Sequence, residues 1–282
     1  MEFVTQSGKK VGRVGQGTWH LGEKKSLHAR EIDALRAGVA AGMSLIDTAE
    51  MYGDGAAESL VGEAIRGLER DDLFLVSKVY PWNAGRSHIF DCCADSLERM
   101  GTDYVDLYLL HWQGSVPFAE TIECMEELKD KGMIRSWGVS NLDTREMEAL
   151  LAEDGGTNCA TDQVLYHLGS RGIEFDLMPW LRERDIPVMA YCPLAQAGAL
   201  RRGLLSDRTV LSVAEAHSAT PQQIMLAFIL SREGVYPIPR SSDPAHAEQN
   251  AAAAAISLTS GELASLDAAF PAPDYKTPLD VE

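Results

Sequence analysis

No run of apolar residues in this sequence approaches the ~20 that a membrane-spanning helix needs; the longest clean one covers only residues 224–230. Residues 1–12 lack the apolar core of a secretory signal, so the expectation is a cytoplasmic chain without membrane contact. Cysteine is sparse and unpatterned: Cys92, Cys93, Cys124, Cys159 and Cys192 form an odd set without a C-x-x-C pair. That argues against a disulfide framework or a zinc knuckle. The seven histidines contain no H-x-x-x-H spacing, and no metal is expected. Basic residues are in deficit, 25 Lys and Arg against 42 Asp and Glu, a net charge of −17. Such a surface repels phosphate backbones and anionic lipid, which speaks against nucleic acid as a partner. The glycines Gly12, Gly15, Gly17 and Gly22 do not fit G-x-G-x-x-G, and no Walker A loop is present. Gly138-Val139-Ser140 lacks the second glycine of a hydrolase nucleophile elbow. No stripe or charge block marks a protein partner.

What the chain does contain is a recurring unit. Short β-branched or apolar runs alternate with amphipathic stretches at roughly thirty-residue spacing, the size of one βα unit. Eight strands are predicted, at residues 15–19, 44–47, 73–78, 104–110, 134–139, 160–164, 187–191 and 235–239. Helices are predicted at 29–41, 58–68, 88–100, 118–131, 144–152, 175–184, 209–217 and 221–232, with a last one from Pro244 through 251–255. Asp143 with Glu146 forms a capping-box pattern, and Asp243 precedes a proline suited to a first helical position. Near-continuous apolar strands of this kind form parallel sheet covered by helices. The expected fold class is therefore α/β, a single (β/α)8 TIM barrel. Residues 3–7, Gly8 and residues 9–13 read as a β-hairpin with a glycine turn that closes the barrel floor. No linker divides the chain, so residues 1–282 are read as one barrel domain. Residues 195–206 read as a short connection, and the stretch after Phe270, with Pro271, Pro273 and Pro278, as an irregular tail.

In such a barrel the chemistry belongs at the carboxyl ends of the strands. The second predicted strand ends in Asp47, followed by Tyr52; the third ends in Lys78 and the fourth runs into His111. Each residue alone has an ordinary reading, as a turn former, a solvated lysine or a hydrogen-bonded core histidine. Their placement on three consecutive strands brings them to one mouth. An unperturbed phenol has a pKa near 10, a weak acid for an incipient alkoxide. An adjacent ammonium favours the phenolate, so Lys78 is expected to lower the pKa of Tyr52, with Asp47 holding the lysine charged. His111 is placed to orient a carbonyl and share its developing charge. These are the parts of a carbonyl reduction site that lacks only a hydride source.

Residues 45–53, 77–78, 106–112, 138–141, 190–194 and 238–241 together resemble the aldo-keto reductase superfamily, in a match running from Gly15-Gln16-Gly17-Thr18-Trp19 to Asn250. Residues 80–85 and 166–172 resemble its short bacterial branch, which includes methylglyoxal reductases. The resemblance implies a (β/α)8 barrel that reduces aldehydes and ketones with NAD(P)H. It implies Tyr52 as proton donor, Lys78 and Asp47 as its partners, and His111 as the substrate-orienting residue. Ser140, Asn141 and Gln163 carry the amide and hydroxyl groups that a nicotinamide carboxamide requires, and Tyr191 offers a flat face for the ring. The resemblance assigns them those roles and places Pro193 and Leu194 along the pyrophosphate.

Arg240 and Ser241 precede a predicted helix start, an arrangement suited to a phosphate, although Arg240 could instead pair with Asp243. His246 stands where many family members have a second arginine for the 2′-phosphate, and Gln249 where an acidic adenine contact is usual; Asn250 matches. NADPH is expected ahead of NADH, with a preference weakened by the single imidazole donor. Trp19, Tyr80 and Trp112 supply aromatic walls for a small carbonyl substrate, α-oxoaldehydes above all, and Trp82 reads as turn packing. Two rival readings carry distinct tests: a Schiff-base lyase working through Lys78, and a cofactor-sensing barrel with negligible turnover.

Overall fold

In a strand every second side chain faces the same way, so the alternation of residue types decides what a closed sheet encloses. The computed structural model describes residues 3–4, 10–196 and 198–282. Two short antiparallel strands, β1 (Phe3–Val4) and β2 (Lys10–Val11), form the hairpin; its expected Gly8 turn lies outside the described residues. Eight strands follow: β3 (Gln16–Gly17), β4 (Leu45–Asp47), β5 (Phe74–Val79), β6 (Val105–Leu110), β7 (Ile134–Ser140), β8 (Asp162–Leu165), β9 (Val188–Tyr191) and β10 (Val235–Pro237). Each pairs in parallel with its neighbour in chain order. The ring closes where Gly15 N–H donates to Pro237 O (2.9 Å) and Gly17 N–H to Pro239 O (3.1 Å). The glycines at 15 and 17 permit that approach, since a Cβ on Gly17 would stand 2.9 Å from Ile238 O.

The inner and outer faces hold separate cores. Inward positions Leu45, Phe74, Val76, Leu107, Leu109, Met189 and Ile238 pack together inside the barrel, and Val11 of β2 joins them at the floor. Outward positions such as Ile46, Leu75, Tyr108, Val139 and Val164 pack against the helices. The helices are α1 (His28–Ala40), α2 (Ala56–Ile65), α3 (Ile89–Met100), α4 (Phe118–Asp130), α5 (Thr144–Leu151), α6 (Leu177–Arg182), α7 (Ala199–Ser206), α8 (Arg208–Ala216), α9 (Pro221–Leu230), α10 (Pro244–Ala252) and α11 (Ser260–Ala269). The capping box of α5 forms as expected from Asp143 and Glu146. Among the described residues no helix is long and apolar enough to cross a membrane.

Three helices depart from the sequence expectation. The supposed connection 195–206 contains α7, and α11 follows the expected last helix. Each buries one side chain, Leu204 in α7 and Leu266 in α11; α11 has almost no amphipathic pattern, whereas α7 does have one. The Thr259–Glu262 capping box was the available clue to α11. The third is a matter of bounds: α6 begins at Leu177, not at residue 175, because the Asp176 side chain accepts from Leu177 N–H and caps the helix there. The stretch after Phe270 is irregular, as its prolines suggest.

Candidate active site

Following the inward positions upward, the apolar interior gives way to polar side chains at the carboxyl ends. Asp47 stands above Leu45, Lys78 above Val76, His111 above Leu109 and Tyr191 above Met189. Tyr52 enters from the loop after β4. Gly53, Asp54 and Gly55 take positive φ (59°, 57° and 86°), a tight left-handed run that turns the chain into α2. Ala57 N–H then donates to Tyr52 O (3.2 Å), anchoring the tyrosine backbone at the helix start.

The four expected residues converge. Lys78 Nζ donates to Asp47 Oδ2 (2.8 Å), Thr48 O (2.9 Å) and Tyr52 Oη (3.0 Å), using all three ammonium protons. The second carboxylate oxygen, Asp47 Oδ1, accepts from Gln163 Nε2 (2.7 Å). Burial raises the Asp47 carboxyl and lowers the Lys78 ammonium, and each partner's charge opposes that shift. With three acceptors on Nζ, Lys78 is held as a cation and is a poor amine nucleophile.

The expectation for Tyr52 needs correction. Its phenol lies well above the ordinary 10, first because of burial and then because Asp47 and Cys192 disfavour a phenolate. Desolvation outweighs the ammonium, so Tyr52 rests as the neutral acid. The Lys78 hydrogen bond to Oη becomes stronger only as negative charge develops there.

The His111 ring lies 5.8 Å from that of Tyr52, edge-on at 73°. Burial, then the charge of Lys78, hold its imidazole well below 6.5, so the ring is neutral. Nδ1 is buried without a partner. The proton is therefore assigned to Nε2, where it can be donated to a carbonyl oxygen.

Asp47, Tyr52 and His111 line a cavity of about 620 Å³, which the fully buried Lys78 does not reach. Ser140, Asn141, Gln163 and Tyr191 form one wall. Asn141 sits in the left-handed region (φ 60°) and donates to His111 O (3.2 Å) and Ser140 Oγ (3.1 Å). Tyr191 Oη donates to Asn141 Oδ1 (2.8 Å), and Ser140 Oγ to Gln163 O (2.8 Å). Hydroxyl and amide groups beside one flat phenol ring suit a carboxamide-bearing heterocycle. Pro193 and Leu194 continue the wall toward Arg240, Ser241, His246, Gln249 and Asn250, all on the same cavity.

At this far end the structure excludes one of the two readings of Arg240. Asp243 pairs with Arg30, not with Arg240. The Arg240 guanidinium, exposed, reaches Trp19 O (3.3 Å). Asp243 already caps Ala245 N–H and His246 N–H, so the end of α10 has little left for an anion. Ser241 Oγ bonds to the Asp243 backbone at 2.9 and 3.0 Å. An anion placed here would meet the Arg240 side chain rather than free N–H groups of the helix end.

Of the expected substrate walls, Trp19 lines the cavity and stacks on His20 (4.3 Å). Tyr80 and Trp112 do not line it. They stand beside it in an aromatic cluster with Trp82, which stacks on Tyr80 at 4.4 Å, while Trp112 lies 5.0 Å from His111. Glu50 holds this cluster's loop by accepting from Tyr80 N–H (2.7 Å) and Asn83 Nδ2 (3.2 Å). Sequence reasoning missed Arg201 and Gln222 on the cavity wall. Arg201 belongs to the unrecognised helix α7, although two adjacent arginines in an acidic chain were a visible signal. Cys192 also lines the cavity, but burial pushes its thiol up to about 12, leaving it unreactive. Among the described residues no three His, Cys, Asp or Glu side chains converge as metal ligands.

Residues 13–270 match the model of the aldo/keto reductase family. The chain is 56% identical over 268 residues to methylglyoxal reductase YeaE of Escherichia coli K12, covering 95% of this chain and 94% of that one. It superimposes with a TM-score of 0.97 and 50% identity on an aldo/keto reductase from Klebsiella pneumoniae in complex with NADP and acetate, covering 100% and 99%. A Klebsiella pneumoniae aldo-keto reductase in complex with NADPH matches with the same TM-score of 0.97 at 51% identity and the same coverage.

Proposed function

The chain belongs to the aldo/keto reductase family, and from that premise we propose that it reduces small aldehydes and ketones with NADPH, α-oxoaldehydes such as methylglyoxal foremost. The observation that carries this reading is the position of Lys78 Nζ, 2.8 Å from Asp47 and 3.0 Å from Tyr52 Oη, two residues that line one cavity with the amide and hydroxyl groups of Ser140, Asn141 and Gln163.

The bound cofactor supplies the hydride. The chain's residues do the rest. His111 donates from Nε2 to the carbonyl oxygen and fixes its direction. As charge builds on that oxygen, Tyr52 transfers its phenolic proton to it. Lys78, already bonded to Oη, stabilises the phenolate left behind, and Asp47 keeps the lysine cationic. Ser140, Asn141 and Gln163 orient the carboxamide, Tyr191 lies against the ring, and Pro193 and Leu194 flank the pyrophosphate. Arg240 and Ser241, with His246, take the 2′-phosphate, while Gln249 and Asn250 face the adenine end. Trp19 bounds the substrate, and Tyr80 and Trp112 form its outer aromatic rim.

The similarity to a methylglyoxal reductase supports the choice of α-oxoaldehydes. The test is a panel of carbonyl compounds assayed with NADPH and with NADH. Steady NADPH oxidation with methylglyoxal, slower with NADH, is expected. Absence of turnover with every carbonyl tried, despite tight NADPH binding, would point instead to a cofactor-sensing protein.

A further inference from the structure

Behind Lys78, on the outer face of β5, lies a carboxylate that the proposed chemistry does not use. Lys78 points into the barrel, so Ser77 before it points outward, toward α2. There Ser77 Oγ donates to Glu58 Oε1 (2.5 Å), and the other oxygen, Glu58 Oε2, accepts from Arg99 Nε of α3 (2.5 Å). Arg99 also donates through Nη2 to Ser96 Oγ (3.2 Å). Glu58 and Ser77 are fully buried, and neither lines the cavity.

Glu58 belongs to the first turn of α2 and directly follows Ala57, whose N–H holds Tyr52 O (3.2 Å). The contacts therefore close on themselves: from Tyr52 O to Ala57, along the chain to Glu58, across to Ser77, along the chain to Lys78, and from Lys78 Nζ back to Tyr52 Oη (3.0 Å). The tyrosine is gripped at its backbone by α2 and at its oxygen by β5, and the bond between Glu58 and Ser77 ties the two grips together. Arg99 adds a stop on the outer side. Its side chain packs against Gly55, where a Cβ would come within 2.6 Å of Arg99 Cδ, and Gly55 (φ 86°) closes the left-handed run after Tyr52. Apolar packing between helix and sheet has no direction of its own, whereas a short charge-assisted hydrogen bond fixes how the two are aligned.

We propose that Glu58 is a positioning residue for the proton donor: held by Ser77 and Arg99, its carboxylate locks α2 to β5 and so fixes Tyr52 Oη against Lys78 Nζ. This rests on the reading of Tyr52 and Lys78 given above. A donor displaced by about 1 Å loses on the order of a hundredfold in rate, so a clamp several bonds from the chemistry has leverage on it. Glu58 touches neither the cavity nor the carboxamide-facing wall, so its loss slows proton delivery without weakening NADPH binding.

The test is Ser77→Ala, which removes the hydroxyl of the clamp and leaves the Glu58–Arg99 pair and the cavity lining in place. Single-turnover reduction of methylglyoxal by the NADPH-loaded protein is expected to slow roughly tenfold, with a larger solvent deuterium isotope effect, because proton transfer becomes the slow event. NADPH fluorescence quenching should titrate as in the wild type. Glu58→Leu/Arg99→Leu removes both charges together, so no buried ion is stranded, and should show the same pattern. A wild-type single-turnover rate in Ser77→Ala, or a slower rate with an unchanged isotope effect, would overturn the proposal. So would a matching loss of NADPH affinity, the mark of a general loosening of the barrel. Retention of most of the rate by Tyr52→Phe would instead sink the proton-donor reading on which the proposal rests.

Discussion

Gln163 Nε2 donates to Asp47 Oδ1 at 2.7 Å, so one amide joins strand β8 to the ion pair carried by β4 and β5 on the opposite side of the barrel. The same residue's backbone carbonyl accepts from Ser140 Oγ and Asn141 N–H. The wall proposed to hold the carboxamide and the pair proposed to serve Tyr52 are therefore parts of one hydrogen-bond network. Replacing Gln163 by Leu strands a buried carboxylate oxygen, a loss of about 1–3 kcal/mol. Thermal unfolding without cofactor should show Tm lower by at least the ~2–4 °C that 1 kcal/mol is worth in a domain of this size. An unchanged Tm would mean that the amide contributes nothing to Asp47.

Lys78 and Asp47 are both buried and depend on each other. Removing one partner leaves an uncompensated charge, at a cost of about 3–5 kcal/mol. Lys78→Met should therefore lower Tm sharply, whereas the double variant Lys78→Met/Asp47→Asn should recover most of it and remain inactive. Activity returning with stability in the double variant would show that the pair serves the fold alone.

His111 stays neutral because burial and the Lys78 charge both oppose its protonation. A pKa held well below 6.5 leaves no titration between about pH 6 and about pH 8. The kcat/KM profile for reduction should then lack a histidine inflection in that interval. Tyr52, held above 10, remains a protonated donor through the same range. A step near pH 6.5 that disappears in His111→Gln would show that the ring is more accessible to protons than the geometry indicates.

Arg240 is free of the Asp243 pairing because Arg30 occupies that carboxylate. A charge-assisted contact to the 2′-phosphate is worth about 1.5–3 kcal/mol. Arg240→Ala should lower kcat/KM roughly tenfold to a hundredfold with NADPH and leave NADH nearly unaffected. Equal losses with both cofactors would remove the phosphate role.

The barrel was legible because near-continuous apolar strands recur at the spacing of a βα unit; both faces of each strand are apolar since they serve two cores, Leu45, Val76 and Leu109 inside, Ile46, Leu75 and Leu110 outside. That alternation also places Asp47, Lys78 and His111 one step above the inner core. Other features depend on contacts that local pattern does not encode. The Arg30–Asp243 pair joins residues far apart in the chain, so the sequence left open an Arg240–Asp243 pairing that the structure does not make. The net shift of Tyr52 is a balance between burial and charge, and only the extent of burial tells which prevails. Helix α11 buries a single side chain and has almost no periodicity to register, whereas the amphipathic pattern of α7 was legible in the sequence.

The central claim is that Tyr52 delivers the proton to a carbonyl reduced by NADPH, and Tyr52→Phe tests it with the loss of one oxygen atom. Steady-state reduction of methylglyoxal should fall by at least roughly a hundredfold in kcat, the scale of general acid catalysis, while NADPH fluorescence quenching remains close to wild type. A Tyr52→Phe protein that binds NADPH and keeps most of its kcat would contradict the account.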